Sequence, residues 1–302
     1  MTASCYEICD ERFRRSVKLA EPVEKIWTGG RWTEGPVYSG LWRSVIFSDI
    51  PNDRRLRYDE LTGAVGDYCS GRGYYTNGST LDRQSRLVMC NHGTRSVTRL
   101  EHDGRESVLA ERYQGRRFNS PNDVVVKSDG SIWFTDPSYG IETDYEGFAA
   151  QSEQNGQHVY RISPTGEITR VATDFVSPNG LAFSLDESML YIVDSGGTSS
   201  PDGPRHIRSF HVEGATLSGG EVFATCEAGV FDGFRLDSKG RIWVSTAEGV
   251  HIYHPDGTLL GKVFVPEPVS NLVFGGPKGN RLYITASTSV YTVLLATSGP
   301  VQ

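Results

Sequence analysis

Ser120-Pro121-Asn122-Asp123-Val124-Val125-Val126-Lys127-Ser128-Asp129-Gly130-Ser131-Ile132-Trp133-Phe134-Thr135-Asp136-Pro137 is a phrase that the chain repeats. It opens on a polar residue, passes through an apolar run to an Asp-Gly turn, and returns through a second apolar run that ends on a polar residue. That is the pattern of a β-hairpin. Echoes stand at Glu34-Gly35-Pro36-Val37 with 45–49, at Asn77-Gly78 with 86–91, and at 179–183 with 189–194. Two more are Asp232-Gly233-Phe234 with 240–246, and 271–274 with 281–285. Six copies fill the chain.

The opening and closing polar residues pair as 34 and 49, 77 and 91, 122 and 136, 179 and 194, 232 and 246, and 271 and 285. A hairpin that goes out and back over about 14 residues, at roughly 3.3 Å each, returns both ends to one rim. Successive copies lie roughly 40 to 57 residues apart, which leaves room for two further strands in each unit, as in a propeller blade. The expected fold is all-β: a six-bladed β-propeller with four-stranded blades around a central metal-binding channel.

Radial packing sets each first strand along that channel. The openers Glu34, Asn77, Asn122, Asn179, Asp232 and Asn271 are then expected at one mouth. Taken singly, Asn77, Asn179 and Asp232 each precede glycine and read equally well as turn residues. Taken together, six oxygen-bearing side chains around one axis suit a hard cation such as Ca2+, and none is a soft ligand of the kind zinc or copper prefers.

The bulk properties agree with one repeat domain. The 302 residues include 34 glycines and a hydrophobic fraction of 37%, a balance that suits a turn-rich all-β chain. A net charge of -7 argues against nucleic acid and anionic membranes as partners. The five cysteines are odd in number and lack paired metal spacing, which points to a reducing compartment. With neither a signal-like leader nor an 18-residue apolar stretch, a cytoplasmic location is expected.

Residues 1–25 lack strand alternation. Tyr6, Ile8, Phe13 and Val17 among Glu11, Arg12, Arg14 and Arg15 predict an N-terminal extension with a short amphipathic helix outside the propeller, which itself spans 26–302. Residues 23–32, with Val23, Ile26 and Trp27, are the candidate outer strand that closes the last blade and covers its edge. Two excursions, Ser138 to Gly156 and Gly196 to Pro204, leave from the rim of the polar ring and mark the functional face. His92 stands at the same rim as a candidate substrate or proton-transfer residue, or a simple loop hydrogen-bonding group.

Glu34-Gly35-Pro36, Ser120-Pro121-Asn122-Asp123, Ser177-Pro178-Asn179-Gly180-Leu181 and Phe231-Asp232-Gly233, in this order, resemble the motifs of the SMP-30/gluconolactonase/luciferin-regenerating-enzyme family. Cys90-Asn91-His92-Gly93-Thr94-Arg95 is similar to a stretch of its bacterial and fungal members. The resemblance implies a divalent metal, usually calcium, and hydrolysis of sugar lactones such as D-glucono-1,5-lactone. It makes Glu34, Asn122, Asn179 and Asp232 metal ligands and Asp232 the general base, with Asn122 also a substrate neighbour. Animal members carry Arg-Phe-Asn-Asp where this chain has Arg117-Phe118-Asn119-Ser120-Pro121-Asn122-Asp123. Asn119, His92 and Arg117 are the remaining candidate substrate contacts. The small-molecule lactone is the expected partner. A related metal-dependent esterase or organophosphatase, and a non-enzymatic binding propeller, are the alternatives on the same scaffold.

Overall fold

A computed structural model describes residues 5–300. Of seven antiparallel sheets among the described residues, six follow one another along the chain as one blade each, and the seventh is a two-stranded ribbon of Arg112–Tyr113 and Arg116–Arg117. Blade one comprises Thr33–Ser39, Ser44–Asp49, Arg54–Asp59 and Val65–Ser70. Blade two comprises Thr76–Leu81, Leu87–Asn91, Ser96–Leu100 and Glu106–Ala110. Blade three is built from Val124–Val126, Ile132–Asp136, Gln157–Ile162 and Ile168–Phe175. Blade four is built from Pro178–Phe183, Met189–Asp194, His206–Glu213 and Thr216–Thr225.

Blades five and six both recruit the N-terminal segment. Blade six has Val269–Gly275, Arg281–Ala286 and Ser289–Leu294, and Glu24–Thr28 pairs antiparallel with the last of these as its fourth strand. The ring is thereby latched by chain from its opposite end, inside the 23–32 window. Blade five has Phe234–Leu236, Ile242–Thr246, Gly249–Tyr253 and Leu259–Phe264. A fifth strand, Tyr6–Ile8, covers its outer edge.

That fifth strand corrects the expectation of an amphipathic helix before residue 25. The segment is a strand followed by a short 3-10 turn, Glu11–Arg15, which Asp10 caps by accepting from the Arg12 N–H at 2.8 Å. The apolar residues do face inward, and Phe13 is fully buried beside Gly261. The free edge of blade five offers unpaired backbone groups, and pairing with them outweighs a helix of a few residues. Residues 1–4 of the extension and the last two of the chain lie outside the described residues.

The core is divided as the fold requires. Six apolar clusters fill the six gaps between neighbouring blades. Along Ile132–Asp136, Trp133 faces blade four while Ile132 and Phe134 face blade two. A blade is buried on both faces, so its second strand is apolar at consecutive positions rather than at alternate ones.

The closing polar residues have a structural task. Asp49 accepts from the Arg31 N–H at 2.8 Å, Asp136 from the Asn119 N–H at 2.9 Å, and Asp194 from the Ser177 N–H at 2.9 Å. Each holds down the loop that leads into the first strand of its own blade, which satisfies backbone donors that the loop would otherwise bury unpaired.

Candidate active site

The first strands carry the site, and a recurrent bulge aims its side chains. In blade one the pairing shifts by one residue between Glu34 and Val37, in blade two between Thr76 and Ser79, and in blade four between Pro178 and Leu181. An extra residue in one strand bends it and turns its side chains off the pleat. Here it turns Glu34, Asn77 and Asn179 toward the axis. In blades three and five, Asn122 and Asp232 come just before the first strand begins.

The glycines beside these residues are not turn glycines. A side chain on Gly35 would collide with the Asn77 carbonyl, on Gly78 with Asn122 and Asp123, on Gly180 with the Asp232 carbonyl, and on Gly233 with the Asn271 amide. The Gly78 N–H donates to the Asn122 carbonyl at 2.8 Å. Glycine is needed because the first strands of adjacent blades nearly touch at the axis. The turn reading of Asn-Gly and Asp-Gly therefore gives way to the ring reading.

Three carboxyl groups, Glu34, Asp123 and Asp232, act electrostatically on one another there. Glu34 accepts from the Asn271 amide at 3.2 Å and from its neighbouring Gly35 N–H. Asn179 hydrogen-bonds Asp232, and Asp123 acts electrostatically on both Glu34 and Asp232. Burial, then mutual repulsion, raises the Glu34 carboxyl well above its ordinary range and pushes Asp232 up to about 8. Asp123 is also raised by burial, offset first by Arg235, whose guanidinium lies 3.6 Å from its carboxylate. One carboxylate oxygen of Asp123 is buried without a hydrogen-bond partner among the described residues.

This arrangement fits a cation. Three buried carboxyls share one nearby positive charge, so the excess must be neutralised by protons or by a bound ion. The donors are carboxylate and amide oxygens, the set a hard divalent ion takes. No cluster of three His, Cys, Asp or Glu close enough to hold a metal exists among the described residues.

Asp123 is the site residue that sequence reasoning missed. It lies inside a quoted motif, but the six-fold alignment assigned the ring position to Asn122 and left its neighbour without a role. The signal was available: at the position where four other blades carry glycine, blade three carries a carboxylate.

The candidate substrate contacts separate into two groups. Asn122 is buried at the ring, and its side chain forms no hydrogen bond among the described residues, which leaves it available to a ligand. His92 does not have that freedom. It is fully buried, one ring nitrogen lies 3.1 Å from the Asn77 amide, and Nδ1 lies 3.2 Å from the Glu146 carbonyl. Burial lowers its pKa to about 4, so the ring is neutral. Asn119 spends its amide on the Asp136 and Gly156 carbonyls and accepts from Ser152. Arg117 donates to the Thr94 carbonyl at 2.8 Å. These three were expected to touch substrate. In the structure each of them hydrogen-bonds loop backbone, which satisfies polar groups that a loop over the channel mouth would otherwise leave unpaired.

A β-propeller with buried carboxyl groups gathered at the starts of its first strands has the form of a hydrolase scaffold. The chain belongs to the SMP-30/gluconolactonase/LRE-like family, whose model matches residues 32–288. A gluconolactonase of Zymomonas mobilis is 30% identical over 93% of this chain and 83% of its own length. A pentonolactonase of Haloferax volcanii is 29% identical over 86% of this chain and 83% of its own. The solved structure of a gluconolactonase from Xanthomonas campestris superposes with a TM-score of 0.89 at 35% identity, covering 96% of this chain and 94% of that one. The family match and these relatives make the chain a gluconolactonase-like hydrolase.

Proposed function

We propose that the protein hydrolyses a sugar lactone such as D-glucono-1,5-lactone to the aldonic acid, with Asp232 as general base and with a divalent cation, calcium by the chemistry of its donors. The observation that carries this reading is the meeting of buried Glu34 and Asp232 with Asn179 at the axis. Glu34, Asn122, Asn179 and Asp232 would hold the cation. When bound, it would polarise the lactone carbonyl and stabilise the negative charge that develops on its oxygen.

The chain's own groups supply the remaining chemistry. Asp232 orients a water molecule and accepts its proton as the water oxygen attacks the carbonyl carbon. The ring C–O bond then breaks, and the proton passes to the leaving oxygen, giving the open hydroxy acid. Asn122 holds the substrate beside this centre. Asp123 stays paired with Arg235 and sets the field under which the other two carboxyls titrate.

Replacement Asp232→Ala should reduce turnover of D-glucono-1,5-lactone by about 10^2 to 10^4-fold, the range a positioned base contributes, with the circular dichroism spectrum unchanged. Undiminished turnover in that variant would refute the mechanism.

A further inference from the structure

The first strand of blade five carries an arginine inward of the ring residue Asp232. Arg235 is the middle residue of Phe234–Leu236, and its guanidinium is held in place by donating to the Phe234 carbonyl at 2.7 Å. From there it reaches the Asp123 carboxylate at 3.6 Å, at the entry to the first strand of blade three. Blade four stands between these two blades, so no shared blade face joins the partners. The ion pair crosses the central channel.

Both partners lie in the enclosed space of the ring. The Asp123 side chain is 3% exposed and that of Arg235 18%. One Asp123 oxygen accepts from the Val124 N–H at 2.8 Å and abuts Gly78, the neighbour of Asn77, so closely that a side chain on that glycine would collide with it. The other oxygen faces the guanidinium. No other Lys, Arg or His forms an ion pair with Glu34, Asp123 or Asp232 among the described residues.

A carboxylate beside a hard-cation site is a natural ligand for the ion. Paired with a guanidinium, it is already engaged and its charge is cancelled. Three ionised carboxylates and one guanidinium leave two negative charges, which a doubly charged ion balances.

We propose that Arg235 is a positioning residue of the cation site: by pairing with Asp123 across the channel, it keeps that carboxylate out of the coordination shell and matches the site to a divalent ion. This rests on the cation of the proposed function and deepens it by naming what sets the charge the site accepts. Arg235 acts only through Asp123 and touches neither the ion nor the lactone.

Calorimetric titration of metal-stripped protein with Ca2+, and with Tb3+ as a trivalent ion of similar size, reads this matching. Arg235→Met keeps the apolar stem and removes the charge. It should tighten Ca2+ binding about tenfold and Tb3+ binding about thirtyfold, because attraction to one added negative charge grows in proportion to the charge of the ion. Arg235→Lys keeps the charge and should bind both ions as the wild type does. Asp123→Asn leaves the guanidinium unopposed and should weaken both, Tb3+ more than Ca2+. The double variant Asp123→Asn with Arg235→Met loses both charges together and should return close to wild-type affinity, as a coupled pair does. A merely structural arginine gives the opposite result, with weaker binding of both ions by the same factor.

Unchanged or weakened Ca2+ binding in Arg235→Met, or equal tightening for the two ions, overturns the inference and leaves the lactonase reading intact. Should that variant not fold, the other two decide, and Asp123→Asn binding both ions as tightly as the wild type overturns it. Wild-type protein that binds no Ca2+ overturns the cation of the proposed function and the inference together. Wild-type protein that binds Ca2+ and leaves D-glucono-1,5-lactone intact overturns the lactonase reading alone.

Discussion

At the residue scale the protein is governed by the protons on Glu34 and Asp232. Folding brings them together in a buried place, so each holds its proton to higher pH than it would in the unfolded chain. For Asp232 the window runs from its ordinary value of 3.8 to about 8. Within it the cation-free folded state binds more protons than the unfolded state, so stability falls as pH rises. Metal-stripped protein should melt at least about 3 °C lower at pH 8 than at pH 5, and Asp232→Asn should shrink the difference. Calcium should raise the midpoint more at pH 8, where fewer protons compete for the same oxygens. Thermal melts with chelator and with added calcium check both statements. The motif at each ring position was legible from sequence because carboxylates and amides recur in register. The roles of His92 and Asn119 were not, because a rim position says nothing about whether a polar side chain turns to the ligand or to its own loop.

Single elements show the cost of the close approach at the axis. Gly180 and Gly233 stand where the chain of one blade meets the ring residue of the next. Gly180→Ala should displace the Asp232 backbone, and calcium affinity should fall about tenfold or more, since a misplaced ligand loses a charge-assisted contact; calorimetric titration measures it. The N-terminal strand Tyr6–Ile8 is a second such case. It is short and precedes a turn rich in charge, so local pattern favours a helix, and only the open edge of blade five makes it a strand. Phe13 fixes it there. Phe13→Ala should destabilise the fold by about 3 to 5 kcal/mol, the range for emptying a fully buried aromatic site, measured by urea unfolding with calcium present.

For the whole molecule, closure is the decisive event. Blade six is completed by Glu24–Thr28, and the Ser289 hydroxyl donates to Thr28 Oγ1 at 3.0 Å across 261 residues of chain. Thr28→Cys combined with Ser289→Cys places two thiols across that latch. The oxidised form should gain up to about 4 kcal/mol over the reduced form, because a cross-link of such span removes loop-closure entropy from the unfolded chain; paired melts with and without reductant read it out. The sequence by itself determined the number of blades, the hairpin in each, the rim to which they return and the chemical kind of the ring, since all of these follow from periodicity, turn residues and spacing along one chain. Only the tertiary structure decided that Asp123 acts on Glu34 and Asp232, and that His92 and Asn119 bond to loop backbone. Those outcomes depend on which residues from distant blades compete for the same few ångströms at the axis, and no local pattern in the chain records that competition.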